Sequence, residues 1–314
     1  SAIGGTVNII TRIPDDDSYE FESLYQNIGG QSNDIILNGN INVLARSRNA
    51  GATVFANRRQ RESYDHNGDN FSELPEIGTN SFGASMFFRP TMNQKLEFNF
   101  SSMYEYRYGG EITGKPAYLA QQAEERTHNV LMGGLDYQLN FNEENSSFIA
   151  YFAGQKTTRK HYTGILPDVQ SELDSHLSDP PYGATSNYTY QLGTQFNHRL
   201  NEFLGGRNVL TAGVEVVYDD VLDTIPAYEY VLDQTTVNTG FFAQSDWEIV
   251  PSVNFLAGLR ADKHNLVDRV IFSPRFSFLY KLKDYTQFRL TWGTGFRAPQ
   301  AFDTDMHLAF AGGG

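Results

Sequence analysis

Apolar and polar side chains alternate almost without fault from Leu96 to Tyr108. Leu96, Phe98, Phe100, Tyr104, Tyr106 and Tyr108 fall on one face; Glu97, Asn99, Ser101, Glu105 and Arg107 fall on the other. A period of two residues predicts a β-strand. The same code recurs along the chain. Leu37, Ile41 and Val43 oppose Asn38, Asn40 and Asn42; Leu135, Tyr137 and Leu139 oppose Asp136, Gln138 and Asn140. Tyr188, Tyr190, Leu192 and Phe196 oppose Thr189, Gln191, Gln195 and Asn197, and Leu210, Val214, Val216 and Tyr218 oppose Thr211, Glu215 and Asp219. Phe276, Phe278 and Tyr280 oppose Arg275, Ser277 and Lys281. Read this way the chain carries about 13 strands. The stretch 147–159 is ambiguous in phase.

The connections alternate between short and long. Ser47–Ala50, Pro90–Asn93, Asn142–Asn145, Leu200–Arg207, Ile249–Ser252 and Leu282–Tyr285 are short; 62–78, 109–127, 160–186 and 220–236 are long, with Ile28–Asn33 and 263–270 as exceptions. Tight turns on one rim and long loops on the other describe a transmembrane antiparallel β-barrel. No helical period stands out. The polar face is rich in Asn, Gln, Ser and Thr, with charges such as Glu105 and Arg107 set two residues apart. A soluble sandwich would present Lys and Glu to bulk water there; this face suits a confined wet lumen.

Composition sharpens the picture. Mean hydropathy is −0.44, which would mark a soluble protein were it not that barrel strands average lipid-facing with lumen-facing residues. Eighteen Tyr and 23 Phe against 2 Trp suit aromatic girdles. The absence of Cys removes disulfides and thiolate metal sites. A net charge of −13 argues against nucleic acid as a partner.

Three segments, in this order, resemble the TonB-dependent outer-membrane receptors. SAIGGTVNII (1–10) is similar to the end of the plug domain, FFAQSDWEIVPSVNFLAGLRADKH (241–264) to a central barrel hairpin, and Ser273-Pro274-Arg275 followed by WGTGFRAP (292–299) to the next one. The flavour is that of Bacteroidetes receptors. The resemblance implies the end of a plug over 1–14 and the first part of a barrel over 15–314, about half of a barrel of about 22 strands. Both ends of the chain read as cut. It further implies the outer membrane as location, outer-membrane lipids as surroundings, and TonB as a partner acting through plug residues preceding this chain. A metal chelate is the implied ligand, with a surface lipoprotein as a further partner. An iron–siderophore complex leads; cobalamin and haem follow; a passive porin is the reading from a different class. An enzyme is not expected, since no activated nucleophile constellation stands out.

Candidate site residues are those of the outer loops. Asp65, Asn67, Asp69 and Glu76 sit at positions 1, 3, 5 and 12 of the EF-hand spacing, with Asn70 where Gly is usual. The bland reading is a polar turn; the sharper one is a structural Ca²⁺, in a loop where cobalamin receptors of the family bind calcium. No other cofactor is expected. Tyr64, His66, Phe71, Tyr162, Tyr182, Tyr228 and Tyr230 are aromatic candidates for ligand contact, although such rings are common in loops of this kind. His307 follows the FRAP segment, as a haem-ligating histidine does in haem receptors, yet reads first as an ordinary loop residue. Glu105, Arg107, Arg260, Arg289 and Arg297 are expected to point into the lumen, the arginines pairing with plug or lumen carboxylates before substrate.

Overall fold

The computed structural model describes residues 14–283 and 285–299. The plug-like segment at 1–10 and His307 lie outside the described residues. Thirteen strands form one antiparallel sheet whose spatial order is the sequence order. They are β1 (Ser18–Ile28), β2 (Ser32–Leu44), β3 (Ala50–Arg61), β4 (Glu76–Phe88), β5 (Gln94–Gly110), β6 (Gln122–Phe141), β7 (Ser146–Ile165), β8 (Gly183–Phe203), β9 (Gly206–Ile225), β10 (Tyr230–Val250), β11 (Val253–His264), β12 (Ile271–Lys283) and β13 (Thr286–Gly293). Among the described residues every hairpin is local, and β1 and β13 are each paired on one side only. The sequence-predicted strand number and the antiparallel barrel architecture are what the chain adopts.

The register sorts side chains into two continuous faces. Leu96, Phe98 and Phe100 of β5 share their face with Leu135 and Tyr137 of β6, Phe148 and Phe152 of β7, and Leu192 and Phe196 of β8. These residues stay exposed: Phe98 at 45%, Leu135 at 47% and Leu192 at 55%. A single layer has no second layer to cover that face, so lipid is its core. The opposite face carries Asn42, Thr53, Ser85 and Asn99 in one cross-strand row and Gln155, Thr189 and Asp219 in another. It is the lumen wall. The phase of 147–159 resolves with Phe148 and Phe152 outward and Tyr151, Gln155 and Arg159 inward; the intervening Ala150, Ala153 and Gly154 carry too little contrast to declare a side.

Strands β5 to β10 are 17 to 21 residues long, about twice the length a tilted strand needs to cross a bilayer. The excess lies at the long-loop rim. There the outward face is wet, as with Glu125, Thr127 and Asn129 of β6, so the ladder continues after the apolar alternation has stopped. Stretches read from sequence as long loops are therefore partly strand. The true outer connections are 29–31, 62–75, 111–121, 166–182, 226–229 and 265–270. One of them holds a feature the periodicity did not predict, the helix α1 (Gln170–Ser178). It is polar apart from Leu173 and Leu177, with no buried residue, and two leucines one turn apart are too short a stripe to announce a helix.

The opposite rim carries the irregularities expected where pairing ends. Register shifts fall between Leu200 and Phe203, Glu248 and Val250, and Lys281 and Lys283. The β8–β9 hairpin closes on Leu204-Gly205, with φ of 48° and 79°. Two consecutive positive φ values favour Asn-Gly, whereas a leucine there strains its Cβ. Leu204 is 75% exposed and gains little from packing. Leu204→Asn is expected to stabilise the folded state by about 0.5–1 kcal/mol, read as a higher urea midpoint in detergent micelles; an unchanged or lower midpoint would show that the turn is not under strain.

Candidate functional site

Two cross-strand rows near the outer rim bring charge together on the lumen wall. In the upper row Asp34, Arg61, Ile77, Arg107, Arg126, His161 and Gly183 stand side by side on β2 to β8. In the row below, Arg59, Thr79, Glu105, His128, Arg159, Thr185 and Asp223 follow one another from β3 to β9. Arg59 grips Asp34 with two N–H groups at 3.1 and 2.7 Å. Arg159 donates to the Thr185 hydroxyl at 3.1 Å and lies 3.7 Å from Asp223. Arg126 meets Glu124 at 2.6 Å, whereas Arg107 stands 3.7 Å from Glu105, beyond hydrogen-bonding range. Arg61 gives two N–H groups to the Pro75 carbonyl at 3.1 and 3.0 Å. His161 lies over Gly183, where any Cβ would strike its ring.

Deeper in the lumen a second network centres on Glu215. Its carboxylate accepts from Tyr151 at 2.7 Å, Gln191 at 2.7 Å and Arg260 at 3.1 Å. Arg260 also donates to Asp262 at 2.9 Å, and Asn238 donates to the same carboxylate at 3.1 Å. Tyr151 reaches Glu215 across Gly193 of the intervening strand, and Arg260 lies over Gly240. A Cβ at either glycine would sit well inside contact distance of the side chain above it, 2.3 Å from the Tyr151 ring and 2.2 Å from an Arg260 nitrogen. The absence of a side chain at 193 and 240 is what lets the network lie flat.

The outer loops are laced into one wall. Ser72 and Gly110 exchange hydrogen bonds, Ile112 donates to the Asn70 carbonyl at 2.8 Å, and Phe71 bridges Glu111. Leu166 donates to the Gln121 carbonyl at 2.9 Å, and His176 of α1 bonds the Tyr118 carbonyl at 2.9 Å. Beneath that contact Tyr108, Ala117, Ala120, Ala123 and Tyr162 form a small apolar core with Tyr106, Tyr118 and Tyr182 at its edge. Glu125 joins it, accepting from Tyr106 and Tyr182, each at 3.1 Å. Burial and that carboxylate push the Tyr182 phenol up from its ordinary value.

The sequence-predicted residues divide accordingly. Tyr162 is fully buried and packs the loops, while Tyr182 is held by Glu125. Tyr228 is 63% exposed at the outermost turn, close to Tyr230 at the start of β10. Tyr64 bonds His66 at 3.0 Å and covers Gly29. By register Glu105, Arg107 and Arg260 lie on the face opposite the apolar one, and Arg289 of β13 shares it. Arg297 follows the last strand. Arg59, Arg61, Arg126, Arg159 and His128 were not singled out from sequence. Residues 109–127 read as loop and the following strand as starting at 129, although Glu124, Arg126 and His128 continue the alternation of that strand.

In the loop 62–75 the structure gathers Asp65, Asp69 and Glu73, whose carboxylate oxygens lie within 4.8 Å of one another. Glu76 is not among them. A bridge between Tyr64 and Leu74 closes the loop first, and Glu76 opens β4 opposite Tyr108. Asn67 caps Asp69 within the loop, its carbonyl oxygen accepting from the Asp69 amide at 2.9 Å. Asn70 adopts φ 70°, the left-handed conformation its place in the spacing requires. The amides of Gly68 and Asn70 donate to Asp65 at 2.7 and 2.8 Å and hold its carboxyl below the usual value of 3.8.

The chain matches the family model "TonB dependent receptor-like, beta-barrel" over residues 14–313. No curated protein matches it in sequence. Among solved structures it is similar to the siderophore receptor PirA of Acinetobacter baumannii, at TM-score 0.70 and 14% identity, with 92% of this chain covering 44% of that one. It is similar to the ferric enterobactin receptor PfeA of Pseudomonas aeruginosa in complex with enterobactin, at TM-score 0.72 and 16% identity, covering 95% of this chain and 47% of that one. The outer-membrane transporter YddB of Escherichia coli follows at TM-score 0.59 and 11% identity, covering 80% and 36%. The chain thus spans less than half the length of these proteins.

Two outcomes test this geometry. Gly193→Ala should displace the Tyr151 ring from Glu215 and cost about 1–3 kcal/mol of stability, seen as a lower denaturation midpoint; parity with wild type would remove the glycine from the network. The Asp65 carboxyl is depressed on folding, so its contribution is present above the unfolded value of 3.8 and is lost as pH falls through the lower folded one. Amide protection at Gly68 and Asn70 should hold from pH 7 to that value and collapse below it; protection indifferent to acid would sink the assignment.

Proposed function

Because the chain belongs to the TonB-dependent receptor β-barrel family of outer-membrane proteins, we propose that it forms the capturing wall of a receptor that actively imports a scarce, bulky ligand, an iron–siderophore complex. The observation that carries this reading is the laced outer wall of loops 62–75, 111–121 and 166–182 above a polar, charged vestibule. A passive pore needs no such wall. The fold shared with siderophore receptors supports the same reading. Capture falls to exposed outer residues such as Tyr228 and to the lumen charges, with Tyr162 holding the loops in place. TonB supplies the energy through the plug, since a plugged lumen does not conduct a ligand of this size by diffusion.

A second reading rests on the Asp65, Asp69 and Glu73 cluster. Three carboxylates within reach of one ion suit Ca²⁺, a hard cation that prefers oxygen ligands. Calcium at this loop would order the wall beside it and favour cobalamin as the ligand.

Equilibrium binding to the full-length receptor in outer membranes separates the two. Ferric siderophores are expected to bind with affinity unaffected by chelator. Cobalamin binding that collapses more than tenfold on calcium removal would replace the siderophore reading, and binding of neither would overturn both.

A further inference from the structure

The outward face of β7 changes character at one level. Its lower positions are Phe148, Ala150, Phe152 and Gly154; two lysines then follow, Lys156 and Lys160, with Thr158 between them. From Ser146 to Lys156 is one membrane crossing for a tilted strand, about 9–11 residues. Aromatic neighbours mark the same level. Lys156 stands opposite Tyr188, its ammonium 5.2 Å from the centre of that ring, and Tyr190 on the same strand packs on Tyr218 of the next at 6.1 Å. Tyrosine belts of this kind sit where hydrocarbon meets headgroups. A cation facing lipid costs most at the bilayer centre and least at this boundary, where its stem lies on apolar surface and its head is wet. Position explains how the lysines are tolerated but not what they meet. Lys95 on the lumen face pairs with Glu97 at 2.8 Å, and Lys263 on the outward face of β11 donates to the carbonyls of Val267 and Asp268 at 2.7 and 2.9 Å. Lys156 and Lys160 are both exposed, and among the described residues neither forms an ion pair. The outward carboxylate of β6, Glu125, is taken by Tyr106 and Tyr182, and that of β9, Asp220, accepts from Thr235 at 2.6 Å.

We propose that Lys156 and Lys160 seat the phosphate of one anionic lipid of the outer leaflet. Their Cα atoms are about 13 Å apart along the strand, so one ammonium reaches a headgroup from below and the other from above. An ammonium is a compact point charge with three donors and makes strong, charge-assisted bonds to phosphate oxygens. A zwitterionic headgroup brings its own amine, which cancels the attraction; a lipid with a phosphate and no amine does not. The seat opens sideways to the bilayer, with Phe152 46% exposed beneath it for the acyl chains. That apolar floor is what a free phosphate in solution has no use for. The inference goes beyond the import reading: it depends on the barrel's place in the outer membrane and not on the cargo.

The test uses the full-length receptor in nanodiscs of phosphatidylcholine, alone, doped with phosphatidylglycerol, or bathed in inorganic phosphate. Acetylation of each lysine is followed by peptide mass spectrometry. Phosphatidylglycerol should slow Lys156 and Lys160 about fivefold or more, with Lys115 of the loop 111–121 and Lys263 nearly unchanged. No slowing overturns the seat. So does equal slowing at Lys263, the mark of a diffuse surface field, and equal protection by inorganic phosphate, which would make the site one for free anions. A second measurement is native mass spectrometry from detergent with both lipids present. Wild type should retain one more phosphatidylglycerol than Lys156→Gln/Lys160→Gln, with phosphatidylcholine retained equally by the two; equal phosphatidylglycerol counts overturn the proposal. The nanodisc footprint needs only wild-type protein, so it decides the matter even if the double variant folds poorly.

Discussion

Everything in this molecule hangs on one unbroken antiparallel ladder. In hydrocarbon a backbone N–H or C=O without a partner costs several kcal/mol, so each of the strands β2 to β12 must pair along its full membrane depth with both neighbours. Here those neighbours are always the adjacent strands in sequence. Register, once fixed by the tight turns at one rim, cannot slip by a residue without turning the lipid face into the lumen. It therefore dictates which side chains stand together many residues apart. Arg107 faces Arg126 and Tyr151 lines up with Glu215 because thirteen strands keep count.

The ladder also explains how the outer wall is built without a conventional core. A single sheet offers nothing to pack against within the membrane, and lipid does that work. Above the membrane lipid is gone and the loops must find cover of their own. They do so on the outward face of β5 to β7, where Tyr108, Ala123 and Tyr162 replace acyl chains as an apolar surface and Ala117 and Ala120 close over them. The lumen wall on the other side of the same strands is thereby left to polar and ion-paired side chains.

Much of this was legible in the residues themselves. Strand number, the facing of each clear strand, and the sense of the two rims follow from period-two alternation and connection length. Alternation depends on the contrast between lipid and water, and that contrast ends at the headgroups. Beyond Asn129 towards Glu124 both faces of β6 are wet, so the strand vanished into an apparent loop and took Arg126 and His128 with it. The helix α1 was invisible for a related reason, having no buried face to mark in the sequence. The acidic loop was found by spacing, but spacing could not foresee that a bridge between Tyr64 and Leu74 would enclose Glu73 and leave Glu76 outside. Tyr162 was chosen for its ring; its complete burial is a property of three loops meeting, which no local pattern records.

The glycines at 193 and 240 have a consequence for passage. Side chains that stand upright on a barrel wall narrow the bore and catch on anything that turns within it. At the level of Glu215 the tyrosine and the arginine lie across the glycines of their neighbours instead, with their polar ends tied. The wall there is a smooth bearing surface. A body seated in the lumen can rotate or slide past it with no hydrogen bond of that network having to break.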